Sequence, residues 1–578
     1  MTVIRGGHMK RGRYVLIIFL VFFILIVATM ASFIYFEFKK APTVRTRSYL
    51  EINLSGEINE KSEPDFLTSL IGIRPPLSMY DIWRNIQKAK HDSRIKCLVL
   101  RLGQLQCDWA KIEEIRQSIL DFRTSGKKVF AYIGEVLEFD KEYYLATACD
   151  SIILHPLGTL IINGIGGYVP FIKNALDKLG VEAEFEHVEE YKTAGNMFTE
   201  EGFTPAHKEM MESIYGDIFS IYVKGVAEAR EKSESEVRGL IDQAFFRADL
   251  AKESNLVDEV MYEDEFLNFI LEGGQRISQI GHSQYTKISP SSLGLNKGKK
   301  IALIYGMGLI HSGEGLNQTM GSKSFARLIR RARNDVTVSA LIFRVDSPGG
   351  SALGSDVIWR EIALTRKKKP VVVSMSDVAG SGGYWIAMNA DKIVAQPQTL
   401  TGSIGVVSGK FNMAKLFDKL GITAERIALG KRADMFTSFR SLTEDERSLL
   451  KTEILWIYDQ FITKVSIGRN LKKEDVDKIG RGRVWTGQQA KDLGLIDEIG
   501  GLAKAIELVK ELINVPPEED VKLDVWPKKQ PLFSSMFQRR LIKSQSALES
   551  KLKQMLEAFQ LLQNERTLTL MPFWEAPK

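Results

Sequence analysis

A chain of 578 residues is too long for one ordinary core, so two or more domains are expected. With 44% hydrophobic and 26% charged residues it reads as globular apart from its ends, which excludes a wholly disordered or fibrous protein. The net charge of +6 arises from acidic and basic residues interleaved along helical stretches, and no aromatic-interleaved basic motif occurs, so the charge describes a solvated surface and nucleic acid is not an expected partner.

From the N-terminus, residues 14–36 form an almost unbroken apolar run of 23 residues after a basic segment, 1–13. That length crosses a bilayer as a helix. Ala28-Thr29-Met30-Ala31 offers only a weak cleavage site, and the run continues through Phe33, Ile34 and Phe36, so an uncleaved anchor is expected rather than a signal peptide. Arg5, Lys10, Arg11 and Arg13 precede the span while Lys39, Lys40, Arg45 and Arg47 follow it, a tie that leaves orientation open. The first core-like strand begins near Tyr49, so a linker of about ten residues holds the body close to the lipid. Cys97, Cys107 and Cys149 are too few and too odd for a disulfide framework. Without a Cys-x-x-Cys or His-Glu-x-x-His pattern no metal site is expected, and no cofactor is called for.

The body of the chain contains itself twice. Residues 140–184 run parallel to 381–425 at a constant offset of 241, matching Tyr143 to Tyr384, Asp150 to Asp391, Pro156 to Pro397, and Asp177-Lys178-Leu179-Gly180 to Asp418-Lys419-Leu420-Gly421. Two repeats, 46–272 and 300–515, are expected, joined by a polar linker at 273–299. In the second repeat, Ala340-Leu341-Ile342-Phe343-Arg344-Val345 reads as a buried strand, 354–366 as a helix, Val371-Val372-Val373-Ser374-Met375 and Lys392-Ile393-Val394-Ala395 as further strands. Such alternation predicts an α/β fold of stacked ββα units. The tail, 516–578, has an apolar stripe over 538–564, from Leu541 to Leu562, that suits a helix packed on its own body or a contact with another chain or a membrane surface.

The repeats differ where chemistry would sit. Ser381, in Ala379-Gly380-Ser381-Gly382-Gly383, falls opposite Asp140. Glycines on both sides permit a tight strand-to-helix turn, and a serine there can sit where free N–H groups stabilise an oxyanion. Asp346-Ser347-Pro348-Gly349-Gly350 follows a buried strand, and paired glycines there can aim N–H groups at one point, whereas the first repeat has Leu102-Gly103-Gln104-Leu105-Gln106 in that place. Of the seven histidines none lies beyond His311, so a Ser-His-Asp triad is poorly supported. A desolvated, neutral lysine is the alternative base.

These motifs, with Leu400-Thr401-Gly402-Ser403-Ile404-Gly405, resemble the signal peptide peptidase A family, the protease IV serine–lysine peptidases of the long, duplicated type, over about residues 45–515. The resemblance implies tandem ClpP/crotonase-like domains, a single-pass anchor in a bacterial inner membrane with the repeats on the periplasmic side, a bowl-shaped homotetramer, and hydrolysis of released signal peptides. It further implies Ser381 as nucleophile, Lys192 in Tyr191-Lys192-Thr193-Ala194 as general base, and Ser403 as the residue orienting that lysine; Gly350 and Gly382 are the candidate oxyanion donors. Lys431, in Gly430-Lys431-Arg432-Ala433, is the rival base from the serine's own repeat. Two other classes share parts of the pattern: a crotonase-like acyl-CoA enzyme, and a non-catalytic membrane scaffold of the same fold.

Overall fold

Continuous runs of Val, Ile and Leu buried on both faces are the signature of parallel sheets covered by helices, and each half of the chain builds one. The computed structural model describes residues 18–23, 25, 26, 29, 42–61, 76–134, 137, 138, 140–271, 277–316, 319–527, 565 and 567–572. In the first half, β1 (Ser48–Asn59), β2 (Ile95–Gln106), β3 (Lys128–Ile133) and β4 (Ser151–Leu154) lie in parallel in spatial order β4-β3-β2-β1. Helices α1 (Trp109–Arg123) and α2 (Asp140–Ala146) pack with them, and a separate strand, β5 (Glu182–His187), leaves this sheet.

The second half repeats the plan with β6 (Lys300–Met307), β7 (Val338–Ser347), β8 (Gly349–Ser351), α3 (Ala352–Arg366), β9 (Val371–Gly380), α4 (Gly382–Ala387), β10 (Lys392–Ala395), β11 (Leu400–Gly402) and β12 (Val407–Asn412). Its main sheet runs β11-β9-β7-β6, with β10 also pairing with β9. The residues shared by the repeats hold this frame. Tyr143 and Tyr384 are fully buried, and each donates its hydroxyl to a carbonyl, of Leu256 and Leu495. The Asp150 and Asp391 carboxylates each accept an N–H at the start of the strand beside them, from Val129 and Val371. The duplication therefore preserves the hydrogen bonds that close each unit around its buried strands.

Four stretches differ from the sequence expectation or escape it. Within 273–299, Ser278–Gly281 is a strand that extends the first sheet beside β1, because Ile280 and Tyr285 carry apolar surface into that core. Beyond 515, Lys522–Trp526 extends the second sheet beside β6. The anchor expected at 14–36 and the helix at 538–564 lie mostly and wholly outside the described residues; the described part of the former is helical. Among the described residues no helix is long and apolar enough to cross a membrane.

The halves are joined in two ways. β5 of the first repeat pairs antiparallel with β12 of the second, from Glu182 opposite Asn412 to His187 opposite Val407. Behind the sheets lies a buried ionic cluster. Arg344, on β7, donates to both oxygens of Glu60 at 2.8 and 3.1 Å, to Glu114 of α1 at 2.7 Å, and to Ser374 and the Met375 carbonyl. Lys111 of α1 reaches Asp346 and Asp377, each at 2.8 Å. The cluster thus ties α1 of one repeat to the turn that carries Gly349 and Gly350 in the other.

Candidate active site

Strand β9 ends at Gly380 and α4 begins at Gly382, so Ser381 occupies the corner between them, with φ +54° and ψ −110°. Such a conformation is unusual for a residue with a side chain and is found where surrounding structure enforces it. Here the Ser381 N–H donates to the Gly402 carbonyl at 2.8 Å. The corner is also crowded: a Cβ at Gly382 would lie 2.6 Å from the Ser355 hydroxyl, and one at Gly383 2.6 Å from the Ser347 carbonyl. Glycines at these places are steric requirements of the turn.

Lys192 enters from the other repeat. It is completely buried, and its Nζ lies 2.7 Å from Ser381 Oγ, 3.0 Å from Ser403 Oγ and 3.1 Å from the Ser403 carbonyl. Burial alone holds the ammonium well below the usual lysine range. Ser403, at φ +50°, is itself held by its N–H donating to the Arg483 carbonyl at 2.7 Å. The sequence-predicted Ser381, Lys192 and Ser403 are therefore brought together, across 189 and 211 residues of chain.

Lys431 is not part of this group. Its side chain is 77% exposed and pairs with Asp445 at 3.3 Å. His311 is also elsewhere, its ring bonded to the Ser312 carbonyl and Thr319. At the matching corner of the first repeat, Asp140 accepts the N–H groups of Asn163 and Gly164, and burial pushes its carboxyl up to about 6. Where one repeat presents a hydroxyl, the other closes the loop with a carboxylate.

Gly349 and Gly350 have φ of +100° and +148°, and a Cβ at Gly350 would come within 2.0 Å of the Ile310 carbonyl. A Cβ on Gly349 would lie 2.7 Å from the Gly382 nitrogen, so the two candidate oxyanion segments adjoin. Two glycines pack against the lysine: Gly405, from the Leu400–Gly405 motif, and Gly482, which the sequence did not single out. A Cβ at Gly482 would lie 2.5 Å from Lys192 Cα, and one at Gly405 3.0 Å from Lys192 Cδ. The Gly480-Arg481-Gly482-Arg483 run signals a tight turn, but nothing local in it points to a lysine nearly three hundred residues earlier.

A strained corner serine beside a buried lysine, in a twice-repeated α/β frame, has the makings of a hydrolytic centre, and the comparisons with known proteins define its class as a serine protease. The model of Peptidase family S49 matches residues 121–273 and again 363–516, and the chain belongs to that family. A serine protease described as SPPA, chloroplastic, of Arabidopsis thaliana is 35% identical over 83% of this chain and 71% of its own length. Protease 4 of Haemophilus influenzae is 32% identical over 82% of this chain and 81% of its own length, and Protease 4 of Salmonella typhi 33% identical over 75% and 72%.

Proposed function

We propose that this protein is a membrane-anchored endopeptidase of the signal peptide peptidase A type, with a Ser-Lys dyad split across its repeats and ClpP/crotonase-like domains. Lys192, neutral, accepts the Ser381 proton as the hydroxyl attacks a peptide carbonyl; the protonated lysine then gives that proton to the leaving amine as the C–N bond breaks, and water resolves the acyl-enzyme. N–H groups of Gly350 and Gly382 stabilise the tetrahedral oxyanion. The observation that carries the reading is the 2.7 Å approach of a fully buried lysine to Ser381. Its other two partners, the hydroxyl and carbonyl of Ser403, can take the two N–H groups of a neutral amine, which leaves the lone pair facing Ser381. The apolar run at 14–36 supports an anchor, and with it substrates that derive from a bacterial inner membrane, such as cleaved signal peptides, met on the periplasmic side.

Labelling with a serine-directed fluorophosphonate tests this reading. Wild-type chain is expected to label at Ser381, and Ser381→Ala to lose both label and peptide hydrolysis while keeping its fold. Persistent hydrolysis by Ser381→Ala would remove the nucleophile assignment. Absence of labelling by any probe would favour an acyl-CoA enzyme or a scaffold.

A homotetramer belongs to the same proposal. By the 241-residue offset, the counterparts of β12 and β5 are 166–171 and 423–428, and neither is a strand. Beside them Tyr168, Ile427 and Leu429 are 89, 93 and 96% exposed. Pairing 166–171 of one copy with 423–428 of the next would repeat the internal β5–β12 joint head to tail, which closes a ring when the rotation permits. Ile427→Asp with Leu429→Asp is expected to reduce the mass in light scattering to that of one chain, 65.2 kDa. An unchanged tetramer would place the contact elsewhere.

A further inference from the structure

Lys192 is presented to Ser381 by its main chain, and that main chain lies on a turn of the other repeat. In the turn, 480–483, Arg481 has φ +51° and Gly482 φ +84°. Two bonds stitch it to Ser403-Ile404: the Gly482 N–H donates to the Ile404 carbonyl at 2.7 Å, and the Ser403 N–H to the Arg483 carbonyl at 2.7 Å. A Cβ at Gly482 would lie 2.5 Å from both Cα and N of Lys192, so the lysine's main chain rests directly on this glycine. That contact sets how close the lysine comes, but not what keeps it there.

The side chain of Arg483 supplies the hold. Its guanidinium carbon lies 4.8 Å from the ring centroid of Tyr191, the residue before Lys192, and 4.3 Å from that of Trp485. The same guanidinium forks onto Glu209, at 2.7 Å to each oxygen, near the start of the helix Pro205–Arg230. Hydrogen bonding to Arg483 first, and to Tyr191 after it, holds the Glu209 carboxyl below its usual range, so the three groups form one set. Tyr191 and Glu209 belong to the first repeat and Arg483 to the second. The neighbouring pair, Arg481 with Glu190 at 3.5 Å, differs in kind: its side chains are 39 and 46% exposed, against 14% for Arg483, and water screens it.

This hold is confined to the repeat that meets a buried lysine. Leu160 pairs with Phe246 as Thr401, 241 residues on, pairs with Trp485. The first repeat therefore has Asp242-Gln243-Ala244 in place of Arg481-Gly482-Arg483, with neither the glycine nor the arginine. A requirement of the frame would recur in both repeats, as the buried Tyr143 and Tyr384 do.

We propose that Arg483 is a positioning residue of the peptidase reaction: by stacking on Tyr191 and forking onto Glu209 it presses the Tyr191-Lys192 main chain onto Gly482, so that Nζ stands between Ser403 and Ser381. The inference rests on the Ser381–Lys192 reading. The charged groups around the joint, Glu190, Glu209, Asp477, Arg481 and Arg483, pair among themselves, while Nζ bonds Ser381 and Ser403, so Arg483 acts through the lysine's main chain. A shift of about 1 Å at the base costs on the order of 10²-fold in rate. A lysine that leaves its socket also regains water, which raises its pKa towards the ordinary value.

The test compares full-length Arg483→Leu with wild type on an apolar peptide, with kcat counted per chain that the fluorophosphonate labels at completion. In Arg483→Leu kcat is expected to fall on the order of 10²-fold with KM held within about twofold. The rise of kcat/KM with pH should move to higher pH. Arg483→Lys keeps the charge without the planar fork and should recover little of the loss. Should Arg483→Leu not fold, Glu209→Ala opens the same fork from the first repeat and is expected to give the same split, with kcat down about tenfold. Arg481→Leu removes only the exposed pair and should leave kcat within about twofold. A kcat unchanged per labelled chain, an equal loss in Arg481→Leu, or a pH profile that stays in place overturns the positioning role. Full hydrolysis by Lys192→Ala would instead remove the base assignment, whatever Arg483→Leu does.

Discussion

Lys192→Ala is expected to lower kcat/KM for an apolar peptide by roughly 10⁴-fold or more, because loss of the base leaves Ser381 at the reactivity of an ordinary alcohol. Lys192→Arg should fail equally, since a guanidinium does not deprotonate in this range. The wild-type pH profile carries the sign. Neutral Lys192 is the active form and burial holds its pKa well below the usual lysine range, so kcat/KM should rise with pH through that depressed value. The same shift is a stability statement. Between the depressed folded value and the ordinary value near 10.4 the unfolded chain binds the extra proton, so Lys192 destabilises the fold at neutral pH, and the penalty fades as pH rises towards the unfolded value. Lys192→Met should therefore be inactive yet more stable than wild type at pH 7. Full activity in Lys192→Ala, or a stability advantage of Lys192→Met over wild type that grows from pH 5 to pH 7, would sink the split dyad.

Arg344→Ala is expected to lower stability by about 3–5 kcal/mol, measured by chemical denaturation, because it leaves two buried carboxylates without their cation. Arg344, Glu60 and Glu114 are all buried, and the guanidinium uses its donors on both carboxylates, a hydroxyl and a carbonyl. The loss should reach activity too. Glu60 and Glu114 belong to the first repeat, while Arg344 lies two residues before Asp346, whose turn carries Gly349 and Gly350. Replacing the cluster together, with Glu60→Gln, Glu114→Gln and Arg344→Met, should recover much of the stability, since neutral groups of similar shape need no counter-charge. A change under 1 kcal/mol in Arg344→Ala would mean the repeats dock through β5 and β12 without help from this cluster.

Much of the frame was legible in the chain. Val371-Val372-Val373-Ser374-Met375 reads as a strand because buried parallel strands are continuously apolar, and it is the start of β9. Lys392–Ala395 has the bounds its residues suggest. The Ser278–Gly281 strand was hidden inside a polar stretch because an edge strand needs only Ile280 buried, too short a pattern to stand out. The glycines around Ser381 were readable since a strained corner has few solutions. Lys192 was not readable from its surroundings: flanked by Glu189, Glu190, Glu200 and Glu201, it looks solvated in sequence and is completely buried in the fold. Only the family resemblance singled it out beforehand.

By itself, then, the sequence determined the duplication, the α/β alternation and the place of the strained serine, because these depend on local periodicity and on the few residues that a tight corner accepts. Tertiary structure decided that Lys192 is buried against that serine, that Lys431 stands in solvent, and that Leu568–Leu570 pairs with Gly349–Ser351. The reason is physical. Desolvation of an amine and the pairing of two distant strand edges are set by what the fold packs around them, and neither leaves a periodicity in the segments concerned.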